Sequence, residues 1–342
     1  MEIIQQIINK LKEKKDLNKE DLLHIVQYFE GNNINDKDIE NLVIGWREKQ
    51  ETSEEIKSLA EIINNNQNQK SISIDAIDMC GTGGDKLNTI NISTLAAVVV
   101  SSCGLPVIKH SGRSSTGLSG SVDVLSDLGL NIDITYDEAE KCFKNTNLMF
   151  VSSTYLRSLF SRVKEAGKRL GIPTFVNLLG PLTNPYKTTF HLLGVSRFEW
   201  GKLLSVALKS SINKSSLIVS SEVSQNTFMD ELSFCGKNYI WKITNGKDSF
   251  EEATFDGELV NCQELVVKSK EENKRHFQEI LSGKLSKSNP KLQIVALNSG
   301  AAFYLAGRSQ SIWDGYECAL EHIQTGKAWE HFLKFLNSSK KR

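Results

Sequence analysis

Asp78–Thr94 reads DMCGTGGDKLNTINIST, with Gly81, Gly83 and Gly84 set among two aspartates, two asparagines, three threonines and a serine. The run AIDM that leads into it is short and apolar, and ISTLAAVVV at its end has the composition of a buried helix. Strand, glycine loop and helix in that order predict one unit of an open α/β sheet, with the loop at the carboxyl end of a strand, where such sheets bind ligands. Glycine permits positive φ and close backbone approach, and the free amides of a helix starting between Asn91 and Ser93 point outward; the combination suits a phosphate. The spacing matches neither GxGxxG nor GxxxxGK[ST]. A tight turn with Ser93 as a helix cap accounts for the glycines alone, but the density of Asp85, Asn88, Thr89, Asn91 and Ser93 favours a ligand loop.

A second polar loop, KHSGRSSTGLSGS from Lys109 to Ser121, follows the next apolar run, LPVIKH. It adds Lys109, His110 and Arg113 to hydroxyls and three glycines, so two adjacent loops would offer one crevice to a polyanionic sugar phosphate. Further out, ISIDAIDM, NLMFVSS, FHLLGVS and SSLIVSS read as strands, alternating with helical patterns such as GSVDVLSDLG and YDEAEKCF, the latter capped by Thr135 and Glu138. This alternation predicts a largely parallel sheet. Asn245-Gly246 marks a hairpin inside NYIWKITNGKDSFEEATF, and the remainder of the chain returns to helix. Before the sheet, apolar residues recur three and four apart: Ile4, Ile7, Ile8 and Leu11, then Leu22, Leu23, Val26 and Phe29, then Leu42, Val43 and Trp46. Asn18 and the pair Thr52/Glu55 supply helix starts, so four short helices are expected before the polar run NNNQNQKS, Asn64–Ser71, which reads as a hinge. The expected fold class is α/β: a small all-helical domain over 1–68, joined by a helical segment near 165–185, and a large α/β domain over 69–342.

Composition removes several function classes. Lys plus Arg and Asp plus Glu both number 41 in the 342 residues, so no basic footprint points to nucleic acid. No apolar run approaches the roughly 20 residues of a membrane span, and the start MEIIQQIINKLKEKK lacks the pattern of a signal peptide. Six scattered cysteines without a CxxC pair predict reduced thiols, a cytoplasmic location and no zinc site.

The motifs CGTGGD, NIST, KHSGRSSTGLSGSVDVL, TFVNLLGPLTNP, MDELS and LNSGAAFYLAG stand in the order and approximate spacing of the anthranilate phosphoribosyltransferases, and the helical start is similar as well. The chain resembles this family, which shares its fold with the pyrimidine nucleoside phosphorylases and joins anthranilate to phosphoribosyl pyrophosphate (PRPP). The resemblance implies that Gly81, Thr82, Gly83, Gly84 and Asp85 wrap the pyrophosphate of PRPP. Thr89, Asn91, Ile92, Ser93 and Thr94 would continue the contact, and Lys109, Arg113, Ser114, Gly117 and Ser121 would complete the donor site. It also implies that Asp230 and Glu231, with Ser93, hold two magnesium ions, a role that suits adjacent hard carboxylate ligands. An Asp-Glu pair in isolation is a solvated surface charge. A homodimer is implied on the same basis.

On the acceptor side the resemblance points to Gly81, His110, Gly112, Tyr155, Gly167 and Pro181, and here the pattern breaks. Gly112 stands where the family has an asparagine, Tyr155 where it has a histidine, and Gly167 where an arginine holds the anthranilate carboxylate. Pro173-Thr174 replaces Arg-Thr, and Val219–Ser221 with the loop EVSQNTF replaces VHG. Arg162, Lys164, Lys168 or Arg169 are candidate replacements for the missing cation. Anthranilate transfer is therefore one reading and transfer to another aromatic acceptor the alternative, with a non-catalytic nucleic-acid-binding relative disfavoured by zero net charge. Restoring Asn at 112 and Arg at 167 is expected to raise anthranilate turnover.

Overall fold

Four amphipathic helices open the chain: α1 (Glu2–Lys12), α2 (Lys19–Glu30), α3 (Asp36–Lys49) and α4 (Ser53–Asn66). They appear in a computed structural model that describes residues 2–31, 34–112, 120–131, 135–209, 213–255 and 259–340. Each buries the face its spacing predicts, from Ile4, Ile7, Ile8 and Leu11 in α1 to Ile56, Leu59, Ile62 and Ile63 in α4, except that Leu23 of α2 is exposed and Ile25 takes its place in the core. Both expected caps form reciprocal pairs: Asp21 N donates to Asn18 Oδ1 at 2.9 Å and Asn18 N to Asp21 Oδ2 at 3.1 Å, with Thr52 and Glu55 paired likewise at 3.2 and 2.9 Å. Such a cap contributes about 1 kcal/mol. The buried Glu55 does more than cap α4, because Leu17 N and Trp46 Nε1 also donate to its carboxylate and the Lys49 ammonium lies 3.0 Å away. The polar run from Asn64 is shorter as a linker than expected: α4 continues to Asn66, and the amides of Asn64, Gln67 and Gln69 donate to the carbonyls of Leu182, Thr183 and Asn184.

The sheet and its helices follow as β1 (Ile77–Gly81), α5 (Ile92–Ser102), β2 (Val107–His110), α6 (Ser121–Asp127), α7 (Tyr136–Thr146), β3 (Leu148–Val151), α8 (Thr154–Leu159), α9 (Ser161–Leu170), α10 (Phe175–Leu179), β4 (Phe190–Gly194), α11 (Phe198–Leu208), β5 (Ser215–Ser224), β6 (Thr227–Met229), β7 (Lys237–Thr244), β8 (Lys247–Ala253), α12 (Lys270–Leu281), α13 (Pro290–Leu305), α14 (Ile312–Gln324) and α15 (Lys327–Ser339). Strand order is β3-β2-β1-β4-β5-β7-β8, parallel from β3 to β5 and antiparallel beyond, with β6 paired to β5. The chain leaves β1 toward β2 and β3 on one side and returns through β4 to β5 on the other. The loops after β1 and β4 therefore diverge and open a crevice at their carboxyl ends.

Two strand readings change. β1 begins at Ile77, so the first half of ISIDAIDM stays outside it. EVSQNTF, read as a loop, is the end of a hairpin in which Ser224 pairs with Thr227 around Asn226 at φ 57°. The expected Asn245-Gly246 hairpin forms with both residues at positive φ, 51° and 75°.

One face of the sheet is covered by α5 and α13, both apolar nearly all round, as befits helices buried between other elements. On the other face Leu193, Ile218 and Trp241 share a core with Ile7, Leu22, Trp46 and Leu59, and with Phe160, Val163, Phe175 and Leu179 of α8–α10 and their junctions. Trp46 and Phe175 pack with ring centroids 4.4 Å apart. No helix among the described residues is long and apolar enough to cross a membrane.

Candidate active site

At the carboxyl ends of β1 and β4, Gly81 pairs with Gly194, and the acidic turn Asp230-Glu231 lies across both. A Cβ on Gly194 would overlap the Asp230 carbonyl, and one on Gly81 its carboxylate; the two glycines let that turn rest on the strand ends. Gly83 and Gly84 adopt φ of 64° and 85°, which turns Gly83 N to donate to Asp230 Oδ2 at 2.8 Å. Ser93 N, in the first turn of α5, donates to Glu231 Oε1 at 3.0 Å. Behind the turn, the buried Asn298 of α13 exchanges hydrogen bonds with the Leu232 backbone at 3.0 and 2.9 Å. Ser196 fixes the glycine loop from the β4 side, its hydroxyl donating to Gly83 O at 2.8 Å and its amide to Thr82 Oγ1 at 3.2 Å.

Three carboxylates meet here. Asp85 shares a hydrogen bond with Asp230, and the charge of Asp230 acts on Glu231. Burial first, and the Asp230 charge second, push Asp85 and Glu231 up to about 8, and burial raises Asp230 as well. Lys109 offsets them in part: it is 2% exposed, and its ammonium donates to Met79 O and, at 3.1 Å, to Ser93 Oγ. One ammonium facing three carboxylates leaves negative charge that a divalent cation would neutralise, and carboxylate and hydroxyl oxygens are the ligands magnesium prefers. The residues present fit that ion.

Other predicted donor residues take supporting places. Thr89 bridges to Val266, and Asn91 Oδ1 accepts from Asn273 Nδ2 at 2.6 Å. Ile92 and Thr94 are buried, and the Thr94 hydroxyl donates to Ser121 Oγ at 2.8 Å; these two hold the loop up and do not line it. Arg113, Ser114 and Gly117 lie outside the described residues.

On the acceptor side the structure separates the predicted residues. His110 Nδ1 donates to Gly180 O at 2.6 Å and Nε2 accepts from Ser153 N at 3.1 Å. Both ring nitrogens are thereby committed, and burial holds the imidazole below its ordinary pKa, so His110 is a neutral tie between the start of α8 and the Gly180 turn. The Tyr155 hydroxyl donates to Glu30 Oε1 at 2.5 Å and accepts from Asn66 Nδ2 at 2.9 Å, which commits it to α2 and α4. Pro181 lines a cavity of about 630 Å³ with Asn64, Asn68, Asn184 and His191.

Gly112 is exposed, and a Cβ there would meet nothing within 4 Å among the described residues. Gly167 is the opposite: it is buried, and a Cβ would fall 2.5 Å from Thr174 Cγ2 and 3.0 Å from Ile172 O. The expectation that arginine at 167 restores acceptor binding is corrected on that ground, since the position serves close packing of α9 on the 172–174 turn. Gly167→Arg is expected to cost about 1–3 kcal/mol in thermal unfolding without a gain in turnover, whereas Gly112→Asn should stay within about 0.5 kcal/mol of the wild type. Gly194 and Ser196 were not singled out from the sequence; the signal was the GVS that closes the strand run FHLLGVS.

Residues 73–329 match the family described as glycosyl transferase family, a/b domain. The anthranilate phosphoribosyltransferase of Streptococcus gordonii is 32% identical over 330 residues, which cover 96% of this chain and 97% of that one. The chain belongs to the anthranilate phosphoribosyltransferase family. It is also 32% identical over 348 residues to the bifunctional protein TrpGD of Thermotoga maritima, covering 98% of its own length and 57% of the length of that longer protein. The anthranilate phosphoribosyltransferase of Saccharomyces cerevisiae in complex with PRPP and Mg superposes with a TM-score of 0.87 at 26% identity, covering 98% of this chain and 97% of the yeast chain. The same yeast anthranilate phosphoribosyltransferase in complex with 4-fluoroanthranilate gives 0.80 at 25% identity, over 94% and 92% of the two chains.

Proposed function

We propose that this chain transfers the phosphoribosyl group of PRPP to the amine of anthranilate, with magnesium, and releases pyrophosphate. The observation that carries the reading is the meeting of Asp85, Asp230 and Glu231 on a glycine loop at the strand ends, with Lys109 among them. Anthranilate is preferred to another aromatic acceptor because the bacterial relative similar over its whole length and the yeast enzyme both carry that name.

In this reaction the bond between ribose C1 and the pyrophosphate oxygen breaks, a bond from the acceptor nitrogen to C1 forms, and the amine gives up a proton. No protein nucleophile is required. The chain positions the two substrates and offsets the charge of the departing group. Gly81 to Asp85 would wrap the pyrophosphate, with Thr89, Asn91 and Ser93 continuing the contact and Lys109, Arg113, Ser114, Gly117 and Ser121 completing the donor site. Asp230, Glu231 and the Ser93 hydroxyl would hold magnesium, two ions in this reading, and bound there the metal would supply charge neutralisation for the leaving group. Gly81 and the exposed Gly112 would border the acceptor, with His110 fixing the wall between them.

The helical domain 1–68 and the α/β domain 69–342 would close over the substrates about the linker that follows Asn66. The amide hydrogen bonds from Gln67 and Gln69 to Thr183 and Asn184 support this, since they keep the two chain crossings side by side. A homodimer through the helical layer is supported by the exposed Ile3 and Leu23, and a cytoplasmic location by six free thiols. The test is consumption of anthranilate, followed by its fluorescence, in PRPP and magnesium. Steady consumption that stops with EDTA is expected, and none at any enzyme concentration overturns the reading.

A further inference from the structure

Three metal-ligating groups that the proposed transfer does not use meet on the sheet face opposite α5 and α13. Alternate residues of a strand share a face. In β1, Ile77 and Met79 join the core under α5 and α13, so Asp78 and Cys80 point the other way, toward the helical layer. His191 of β4 stands opposite Asp78 in the parallel register, and its neighbour Leu192 belongs to the core under α5 and α13, so the imidazole shares the face of Asp78 and Cys80. One ligand atom each from Asp78, Cys80 and His191 lie within 4.8 Å of one another, and Cys80 Sγ is 3.3 Å from His191 Nε2. All three residues are buried, at 1%, 7% and 4% exposure.

A proton shared between thiol and imidazole accounts for the 3.3 Å contact alone. Two further observations point to an ion. The first is the way the carboxylate is held: Asp78 Oδ1 accepts from His110 N at 2.9 Å and Oδ2 from Asn184 Nδ2 at 2.8 Å. Each oxygen keeps a lone pair, and outer hydrogen bonds of this kind orient carboxylates that bind metals. The second is access. Asp78 and His191 line the cavity of about 630 Å³ that also touches Asn64, Asn68 and Asn184, which gives an ion a way in and leaves a fourth position for water. Thiolate, imidazole and carboxylate with one open place form a donor set for zinc, whereas magnesium prefers oxygen ligands. Zinc bonds of about 2.3 Å to sulfur and about 2.0 Å to nitrogen, at a tetrahedral angle, set those atoms about 3.5 Å apart, close to the separation found.

We propose that Asp78, Cys80 and His191 form a zinc site, separate from the residues proposed for magnesium. Binding displaces the thiol proton to water and ties β1 to β4 beneath Gly81 and Gly194. Cysteine spacing gave no sign of it, because Cys80 and His191 are 111 residues apart and meet only through strand pairing.

The experiment titrates the full chain, stripped with EDTA and kept reduced by a phosphine, with cobalt(II), which takes zinc sites and reports its ligands by absorption. One cobalt per chain is expected, with a thiolate-to-metal band in the near ultraviolet and the intense visible bands of a tetrahedral site. Zinc should displace it and excess magnesium should not. Cys80→Ser is expected to remove the thiolate band, and His191→Gln to weaken binding at least about 100-fold. The exposed Cys318→Ser and the double variant Asp230→Asn, Glu231→Gln should keep the wild-type spectrum. Thermal unfolding in EDTA shows first that each variant is folded, and if one of the two ligand variants is not, the other decides. A wild-type chain without the thiolate band overturns the proposal. So does a spectrum that survives Cys80→Ser or His191→Gln unchanged, or one that Cys318→Ser abolishes.

Discussion

The double substitution Asp230→Asn, Glu231→Gln removes magnesium-dependent pyrophosphate release, a loss of about 1,000-fold or more in kcat. It does so without unfolding the chain, because each amide keeps an oxygen for the Gly83 and Ser93 amides that donate to the native carboxylates. In EDTA the variant melts at or above the wild-type temperature, since two crowded carboxylates have become neutral. The pH dependence gives the sign. Asp85 and Glu231 sit at about 8, well above the ordinary carboxylate range. Between about pH 4.5 and 8 the folded chain therefore binds more protons than the unfolded one, and metal-free stability falls as pH rises through that window. Magnesium competes with those protons, so the rise in melting temperature on adding it should be larger at pH 8 than at pH 6 in the wild type and absent in the variant. An equal rise in both proteins would remove the metal from Asp230 and Glu231.

Gly194→Ala has the second large effect, a loss of about 3 kcal/mol. The added methyl meets the backbone carbonyl of Asp230, and no side-chain rotation relieves a backbone contact. Either β4 separates from β1, where Gly194 pairs with Gly81, or the acidic turn lifts from the strand ends. In both cases the folded remainder also loses its response to magnesium. Gly112→Ala, where a Cβ meets nothing among the described residues, is the control and should melt with the wild type. Wild-type melting and magnesium response in Gly194→Ala would mean that the turn does not depend on that close approach.

The N-terminal helices were legible because their information is local: apolar residues one turn apart, and caps three residues apart at Asn18/Asp21 and Thr52/Glu55. The same is true of the strand, glycine loop and helix around Gly81, and of the Asn245-Gly246 turn. The tip of the β5–β6 hairpin was missed because Glu222, Ser224 and Thr227 give it no apolar alternation; there the strands are held by pairing, while burial is confined to the base around Ser221 and Met229. The acidic pair Asp230-Glu231 proposed for the metal was legible only through resemblance, since an Asp-Glu pair looks like surface charge until a fold lays it on two glycines. The acceptor side was the least legible. His110 is committed to Ser153, 43 residues away, and Tyr155 to Glu30, 125 residues away, and neither separation leaves a trace in the local sequence. Gly167 aligned with a cation, but packing against Thr174 decides what that position can carry.

The most direct measurement is pyrophosphate release from PRPP and magnesium, with and without anthranilate. Release that requires anthranilate, matches its consumption mole for mole and stops with EDTA is the predicted result. Release at the same rate without anthranilate, or none with it despite bound PRPP, would contradict the assignment of this chain as the enzyme that joins the two.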